Sequence, residues 1–209
     1  LLQCRPRGPT FQPLGLDPMQ IEKVVDPFSR QAVAYRISYE KTGGNTMVWL
    51  DGRSGPSEFA AHTWDGFSTG KFKGDMLEIT TTHLKESYVA RDGVPSSFRA
   101  SVVAHVYLEE PYLHWTFTVI DPDYLTEPLV RSATYIRAPT LRLPTYPCQS
   151  VAPQTSGQKY TVPNYLVGEN KYLTESAFKY KVPIEGVRGG AETLYPEWRA
   201  IGSKLTPPA

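Results

Sequence analysis

The sequence of 209 residues is poor in the groups that most often carry chemistry, since it holds only two cysteines and four histidines. It also lacks any apolar run of about 18 residues, so no segment is predicted to span a membrane as a helix. Lys and Arg together number 22 against 21 Asp and Glu, which gives a formal net charge of +1. Because such a balanced chain has no strong field of one sign, we expect no nucleic acid and no membrane insertion.

Familiar catalytic and cofactor motifs are also missing. The sequence contains no GxSxG elbow, no phosphate-binding loop, no dinucleotide fingerprint and no CxxC or Cys/His metal spacing. We therefore expect no cofactor and no metal. The cysteines, Cys4 and Cys148, fit either two buried thiols or one disulfide, which would stabilise the fold by about 4 kcal/mol in the chain-entropy model.

Proline, glycine and tyrosine are abundant, with 19, 16 and 13 residues respectively. This composition is typical of a loop-rich β-protein. Alternation with a period of two residues marks the strands. It is clearest in two sets that each share one face of a strand: Leu77, Ile79, Thr81 and His83, and Leu113, Trp115, Phe117 and Val119.

The predicted fold is all-β, an antiparallel meander of about eight strands that closes into a lipocalin-like barrel. The strands are expected at residues 21–25, 32–40, 46–50, 67–72, 76–84, 98–108, 112–121 and 129–137. Residues 1–138 would form this barrel with an N-terminal arm. Residues 139–209 would form a Pro-rich extension of the same domain, with short helices at 174–180 and 191–201, the second broken at Pro196. We expect the extension to wrap the barrel or a neighbouring subunit, which would make a homo-oligomer.

Seven segments carry distinctive motifs: Trp49–Arg53, Ala61–Asp75, Thr82–His83, Asp121–Pro122, Tyr124–Pro128, Asn164–Leu166 and Arg188–Glu197. Together these segments resemble a family of exported bacterial proteins of unassigned function. Members of that family commonly carry Trp where Phe72 stands and Glu where Lys73 stands, so the pairing around this turn differs here. The resemblance implies that the protein is secreted or periplasmic, and it adds no reaction mechanism.

The four histidines separate by strand parity and position. His83 shares the inward face of its strand and stands where that strand finishes, while His62 lies in the polar loop before the same hairpin. These two side chains are expected to meet at the mouth of the barrel. His105 and His114 alternate with apolar neighbours and are expected to point outward.

These positions suggest an acid/base site for a small apolar or aromatic molecule. His62 and His83 would exchange protons, because imidazole titrates near neutrality, with Glu127 or Asp51 orienting one ring. The predicted reaction is a cofactor-free elimination, isomerisation or cyclisation, of the lyase or isomerase type. The residues expected to contact the substrate are Arg53 and Arg131, which would hold an anionic oxygen, and the aromatic residues Trp64, Tyr35 and Trp115.

Three alternatives stay open. Both histidines can be structural, with His62 bonded to loop backbone and His83 satisfied at a strand end. A zinc site from His62, His83 and Glu127 has suitable ligands but lacks the short spacing that places two ligands on one element. The barrel can also bind a small molecule without reaction, as a carrier, and Trp115 on an apolar face is more typical of a packed core than of a ligand platform.

Overall fold

The computed structural model describes residues 8–11, 13, 17–40, 44–89, 93–143, 166 and 169–209, with the backbone alone for Tyr172. The chain forms two compact units. The larger unit contains the described residues of 6–55 and 62–147, and the smaller contains those of 56–61 and 148–209. Cys4 and Cys148 lie outside the described residues. None of the described helices is long and apolar enough to cross a membrane.

The larger unit is built from ten strands, eight of which form one sheet. Their bounds are β1 Met19–Val25, β2 Ala32–Tyr39, β3 Asn45–Trp49, β4 Phe67–Lys73, β5 Met76–Thr82, β6 Ser87–Tyr88, β7 Pro95–Ser96, β8 Ser101–Glu109, β9 Tyr112–Ile120 and β10 Leu129–Ile136. The main sheet has the order β1-β2-β3-β4-β5-β8-β9-β10, while β6 and β7 form a separate two-stranded ribbon. The mostly β fold and the eight predicted strands are confirmed.

The sheet departs from the predicted antiparallel meander at one position. Strands β3 and β4 pair in parallel, with Val48 opposite Ser68 and Trp49 opposite Thr69, whereas the other pairs in the main sheet are antiparallel. The reason is the connection between them: the chain leaves β3 at one end of the sheet and enters β4 at the other, and a tight turn cannot join two such ends. The sheet curls into an open half-barrel, and among the described strands β1 and β10 are its two edges.

Alternation gives the sheet an inner face that is buried and an outer face that is more exposed. On the inner face, Ile37, Val48, Ile79, Ala104 and Phe117 belong to one hydrophobic core. His105 and His114 lie on the outer face, as predicted, where His105 contacts Glu78 at 3.1 Å and His114 stacks on Tyr107. Burial of the inner apolar side chains is what stabilises the curl of the sheet.

The smaller unit contains three short helices, α1 Lys171–Tyr180, α2 Ile184–Gly189 and α3 Pro196–Gly202, with a 3₁₀ turn at Gly190–Leu194. The predicted helix at 174–180 is confirmed as part of α1. The predicted helix at 191–201 is interrupted as expected, because Pro196 lacks an N–H and begins α3 instead of continuing the turn before it. The segment 56–61 belongs to this unit: the amide of Ala61 donates to the Thr193 hydroxyl at 2.5 Å.

A buried carboxylate fixes the loops at one end of the main sheet. Asp121 is only 2% exposed. It accepts hydrogen bonds from the amide and the hydroxyl of Ser97 at 2.6 and 2.8 Å, and from the amides of Asp123 and Tyr124 at 3.0 and 3.3 Å. Burial by itself would raise the pKa of Asp121, but these hydrogen bonds outweigh it and hold the pKa below its usual value.

Replacement of this carboxylate tests its role. We expect Asp121→Asn to lower the free energy of unfolding by about 2–3 kcal/mol, because an amide nitrogen cannot accept the bond from Ser97. Since the folded-state pKa is lowered, the native contribution of Asp121 is present above the unfolded pKa and is lost as the pH falls through the folded pKa. Urea unfolding at neutral pH and at about pH 3 measures both effects.

Asp123→Asn is the matched control, two residues away. Its carboxylate pairs with Arg99 at 3.1 Å on the surface, so its removal should cost about 0–1 kcal/mol. Equal losses in the two variants would contradict the special role of Asp121.

Candidate functional site

The candidate site is formed where the loop before β4 meets the segment after β5. Thr63 makes an isolated parallel bridge with Leu84. The amide of Thr63 donates to the carbonyl of His83 at 2.9 Å, and the amide of Lys85 donates to the carbonyl of Thr63 at 3.0 Å. Since His62 precedes Thr63 and His83 precedes Leu84, this bridge places the two histidines side by side.

The imidazole rings of His62 and His83 lie 5.1 Å apart between centroids and are tilted by 44°. The ring of Phe98 approaches His62 edge-on, with centroids 5.5 Å apart. Both histidines are half-buried. His62 and His83 therefore lie side by side at one end of the sheet, with the ring of Phe98 on one side of His62, whereas a barrel mouth at this place stays a prediction.

The hydrogen bond of His62 defines its protonation. Its Nδ1 lies 2.9 Å from the carbonyl oxygen of Leu84. A carbonyl only accepts, so Nδ1 carries the hydrogen, and in the neutral ring the lone pair is on Nε2. Burial lowers the pKa of His62 below its usual value, and the bond to Leu84 offsets this only in part. His62 is therefore a neutral imidazole at pH 7.

His83 adopts a backbone conformation that strand parity does not predict. Strand β5 ends at Thr82, and His83 has a φ of 58°, in the left-handed region that residues other than glycine seldom occupy. Its Nδ1 lies 2.8 Å from the Thr82 hydroxyl. Such strain is found often at functional sites, where surrounding contacts hold it in place.

Two of the predicted site residues lie elsewhere. Asp51 and Arg53 follow the end of β3, whereas the histidines lie at the end of the sheet where β3 and β4 begin. Strands of five to seven residues separate these ends by roughly 16–23 Å. Arg53 instead donates a hydrogen bond from Nε to Oδ1 of Asp51 at 2.9 Å. Its Cζ lies 3.4 Å from the centroid of the Trp49 ring, so the guanidinium stacks on this ring. These hydrogen bonds from Arg53 hold the pKa of Asp51 below its usual value. Nothing in this geometry supports an orienting role for Asp51.

Glu127 and Arg131 are three strands away from the histidines across the sheet. Glu127 precedes β10 at the end of the sheet where the histidines lie, whereas the register places Arg131 level with Ile79 in the middle of β5. Glu127 is exposed, in the loop before β10. Arg131 is half-buried and stands opposite Phe117 in the register of β10 with β9, which places it on the inner face. The ring of His62 is oriented by a main-chain carbonyl, so the predicted carboxylate is not needed for that task.

The three predicted aromatic contacts are distributed over the larger unit. Trp64 is half-buried near the histidines, with the Lys85 ammonium 5.4 Å from its ring centroid. Tyr35 packs against the core from β2. Trp115 is 5% exposed and belongs to the core itself. Only Trp64 accompanies the histidine pair.

A cavity of about 20 Å³ lies on the inner face. Besides apolar side chains, its lining includes Pro9 and Pro13 of the N-terminal arm and the polar side chains of Tyr39, Thr46, Thr81 and Trp115. Burial raises the pKa of the Tyr39 phenol, and the negative charge of Asp65 adds to this effect, so the phenol stays neutral. Among the described residues, the buried indole Nε1 of Trp115 has no hydrogen-bond partner. This cavity holds a guest of water size and no more.

Three contributors to the site carry no clear signal in the sequence: the Leu84 carbonyl, the Thr82 hydroxyl and the ring of Phe98. In the described part of the chain, no group of three or more His, Cys, Asp or Glu residues is arranged to hold a metal ion. Comparison of the chain with known protein families, with curated proteins and with solved structures finds no match. Membership of the exported bacterial family stays a prediction from the motifs.

Gly66 should be essential to the placement of His62. Its φ is +66°, and an added Cβ would overlap the Thr82 carbonyl oxygen and approach Leu84 Cδ2 to 2.8 Å. Gly74 has a similar φ of +62° but open space around it. We expect Gly74→Ala to cost about 1 kcal/mol for the left-handed conformation alone, and Gly66→Ala about 3 kcal/mol because of the added clash. Thermal unfolding of both variants measures the two losses in stability. Equal losses would contradict the close contact between Gly66 and the chain at Thr82 and Leu84.

The protonation state of His62 can be measured directly. Nuclear magnetic resonance titration of the imidazole nitrogens should show the Nδ1–H tautomer and a pKa below the usual 6.5. Because the unfolded chain binds this proton at a higher pH than the folded chain, His62 should lower stability as the pH falls through 6.5. His62→Gln assigns the resonance. A normal or raised pKa, or the Nε2–H tautomer, would contradict the geometry.

Proposed function

We propose that this protein binds a small apolar or aromatic molecule beside His62 and His83 and catalyses a cofactor-free proton transfer on it. The observation that carries this proposal is the histidine pair at 5.1 Å, in which the bond to the Leu84 carbonyl fixes the tautomer of His62 and burial keeps its ring neutral. Phe98 supplies an apolar surface against which such a molecule can pack. The reaction class is elimination, isomerisation or cyclisation.

In the proposed step, Nε2 of His62 takes a proton from a carbon of the substrate, and the electrons of that C–H bond form a new double bond to the neighbouring atom. That atom at the same time loses its bond to a leaving group or its existing double bond, and His83, when it carries a proton, donates this proton to the atom that receives the displaced electron pair. Arg131 lies on the inner face of β10, level with Ile79 of β5, and would hold an anionic oxygen of a substrate that extends along this face. General acid and base groups placed in this way contribute about a hundred- to ten-thousandfold in rate.

The predictions of a closed barrel, of a secreted or periplasmic protein and of a homo-oligomer also belong to this proposal. A lipocalin-like closure of the half-barrel would shield the substrate from water, which strengthens every electrostatic contact in the site. Secretion or a periplasmic location follows from the resemblance of the motifs, and a homo-oligomer formed through the C-terminal extension is the corresponding prediction for assembly. These three statements are proposals alongside the chemistry.

Binding without reaction is the second candidate function, favoured by the cavity on the inner face. The Trp115 indole N–H is a buried donor without a partner among the described residues, and Tyr39 and Thr81 supply hydroxyls to the same cavity. Together they would recognise a hydrogen-bond acceptor on a ligand. The cavity of about 20 Å³ is far smaller than the roughly 300–1,000 Å³ of ordinary ligand sites, so its lining must move to admit more than a small group.

Proton abstraction from a nitro-substituted benzisoxazole tests the catalytic proposal without knowledge of the natural substrate. A base removes the ring C–H proton while the N–O bond breaks, which gives a nitrile and a phenolate that is followed by its absorbance. We expect turnover above that of an equal concentration of free imidazole groups, and at least a tenfold loss in His62→Gln. The rate should rise with pH as a single titration whose midpoint lies below 6.5, because the neutral ring is the base.

His105→Gln is the matched control, since His105 lies on the outer face beside Glu78, and it should retain the parent rate. Three outcomes would overturn the proposal: no turnover above that of free imidazole, equal losses of rate in the two variants, or a pH profile that does not follow the titration of His62. Saturable binding of the benzisoxazole without turnover would favour the second candidate.

A further inference from the structure

The two edges of the main sheet differ in how well they are protected against another strand. Edge strand β1 carries Glu22 and Lys23, and its register is irregular between Val24 and Val25. Such charges and bulges discourage strand addition. Edge strand β10 keeps an unbroken register over eight residues and contains no proline and only one charged residue, Arg131.

Edge strand β10 also exposes apolar side chains. Val130 is 59% exposed and Ile136 is 65% exposed, and both lie on the outer face. An eight-residue strand of roughly 26 Å also presents the outward N–H and C=O groups of alternate residues. An edge of this kind is a template for a further strand.

We propose that β10 of a second copy of this chain pairs antiparallel with β10 across a two-fold axis at Ala133. Residues that face each other in an antiparallel pair lie on the same side of the sheet, so the axis must pass beside a residue and not between two. With the axis at Ala133, Val130 of each copy faces Ile136 of the other copy, so the dimer contains two such apolar pairs. An axis at Ser132 would instead place Ile136 opposite Pro128, which cannot donate a backbone hydrogen bond.

Charge complementarity supports the same register. With the axis at Ala133, Leu129 of one copy faces Arg137 of the other, and Glu127 lies two residues before Leu129, in the bend that leads into β10. A diagonal pair at this offset is within reach of long side chains. Arg137 otherwise contacts Glu110 of its own chain at 3.0 Å, in a pair whose members are both exposed. Each dimer thus gains two Glu127–Arg137 pairs of opposite charge. On the inner face, Arg131 would lie against Tyr135 of the other copy.

Sedimentation across a wide concentration range tests the assembly. One strand pair buries less area than the roughly 1,200–2,000 Å² of a stable interface, so we expect a dimer with a dissociation constant in the micromolar range or weaker. Val130→Lys should weaken association at least tenfold, because it places a lysine opposite Ile136 near each end of the strand pair. Ile21→Lys on the protected strand β1 is the matched control and should leave association unchanged.

Cysteine crosslinking tests the register. In the proposed dimer the two Ala133 Cα atoms lie about 4.5–5.5 Å apart, within the range of a disulfide, so Ala133→Cys should form a covalent dimer under mild oxidation. Ser132→Cys should not, because its two copies stand diagonally, and the parent chain controls for Cys4 and Cys148. A monomer at all concentrations, a dimer insensitive to Val130→Lys, equal weakening by Ile21→Lys, or crosslinking through Ser132→Cys in place of Ala133→Cys would overturn the proposal.

Discussion

The isolated bridge between Thr63 and Leu84 is the contact on which the candidate site depends. Two backbone hydrogen bonds, at 2.9 and 3.0 Å, tie a loop to the chain leaving β5. Residues more than twenty positions apart are thereby brought into ring contact. Every later property of the site follows from this tie, including the carbonyl partner of His62 and the close approach at Gly66.

The crossover between β3 and β4 makes this bridge possible and also separates the polar residues of the loop. The chain leaves β3 at one end of the sheet, passes Asp51 and Arg53 there, and reaches His62 only after returning to the other end. A hairpin between the same strands would have left both groups at one end. The parallel pair therefore explains why neighbours in the sequence do not share a site.

The local sequence pattern was enough to predict the strands. In β5 and β9, apolar side chains recur at every second residue, and this alternation can be read from consecutive residues alone. It also predicted that His62 and His83 would meet, since both flank one hairpin. The parallel pair and the open edges depend on the path of residues 50–66 and on contacts between distant strands, which alternation does not encode. The orienting group of His62 is a backbone carbonyl, and any residue at position 84 supplies one, so no residue type could reveal it.

The choice of a carbonyl over a carboxylate matters for the chemistry. A carboxylate beside Nδ1 would stabilise the imidazolium and raise the pKa of His62, whereas a neutral carbonyl fixes the tautomer and lets burial keep the pKa low. At neutral and mildly acidic pH such a ring is unprotonated and can act as a general base, but it lacks the additional proton that a general acid donates. In the proposed reaction a second group must therefore supply the proton, and His83, 5.1 Å away, is the ionisable side chain in direct contact with the ring. The pairing of two histidines, with only one of them tied to the Leu84 carbonyl, is what allows the two roles to be divided.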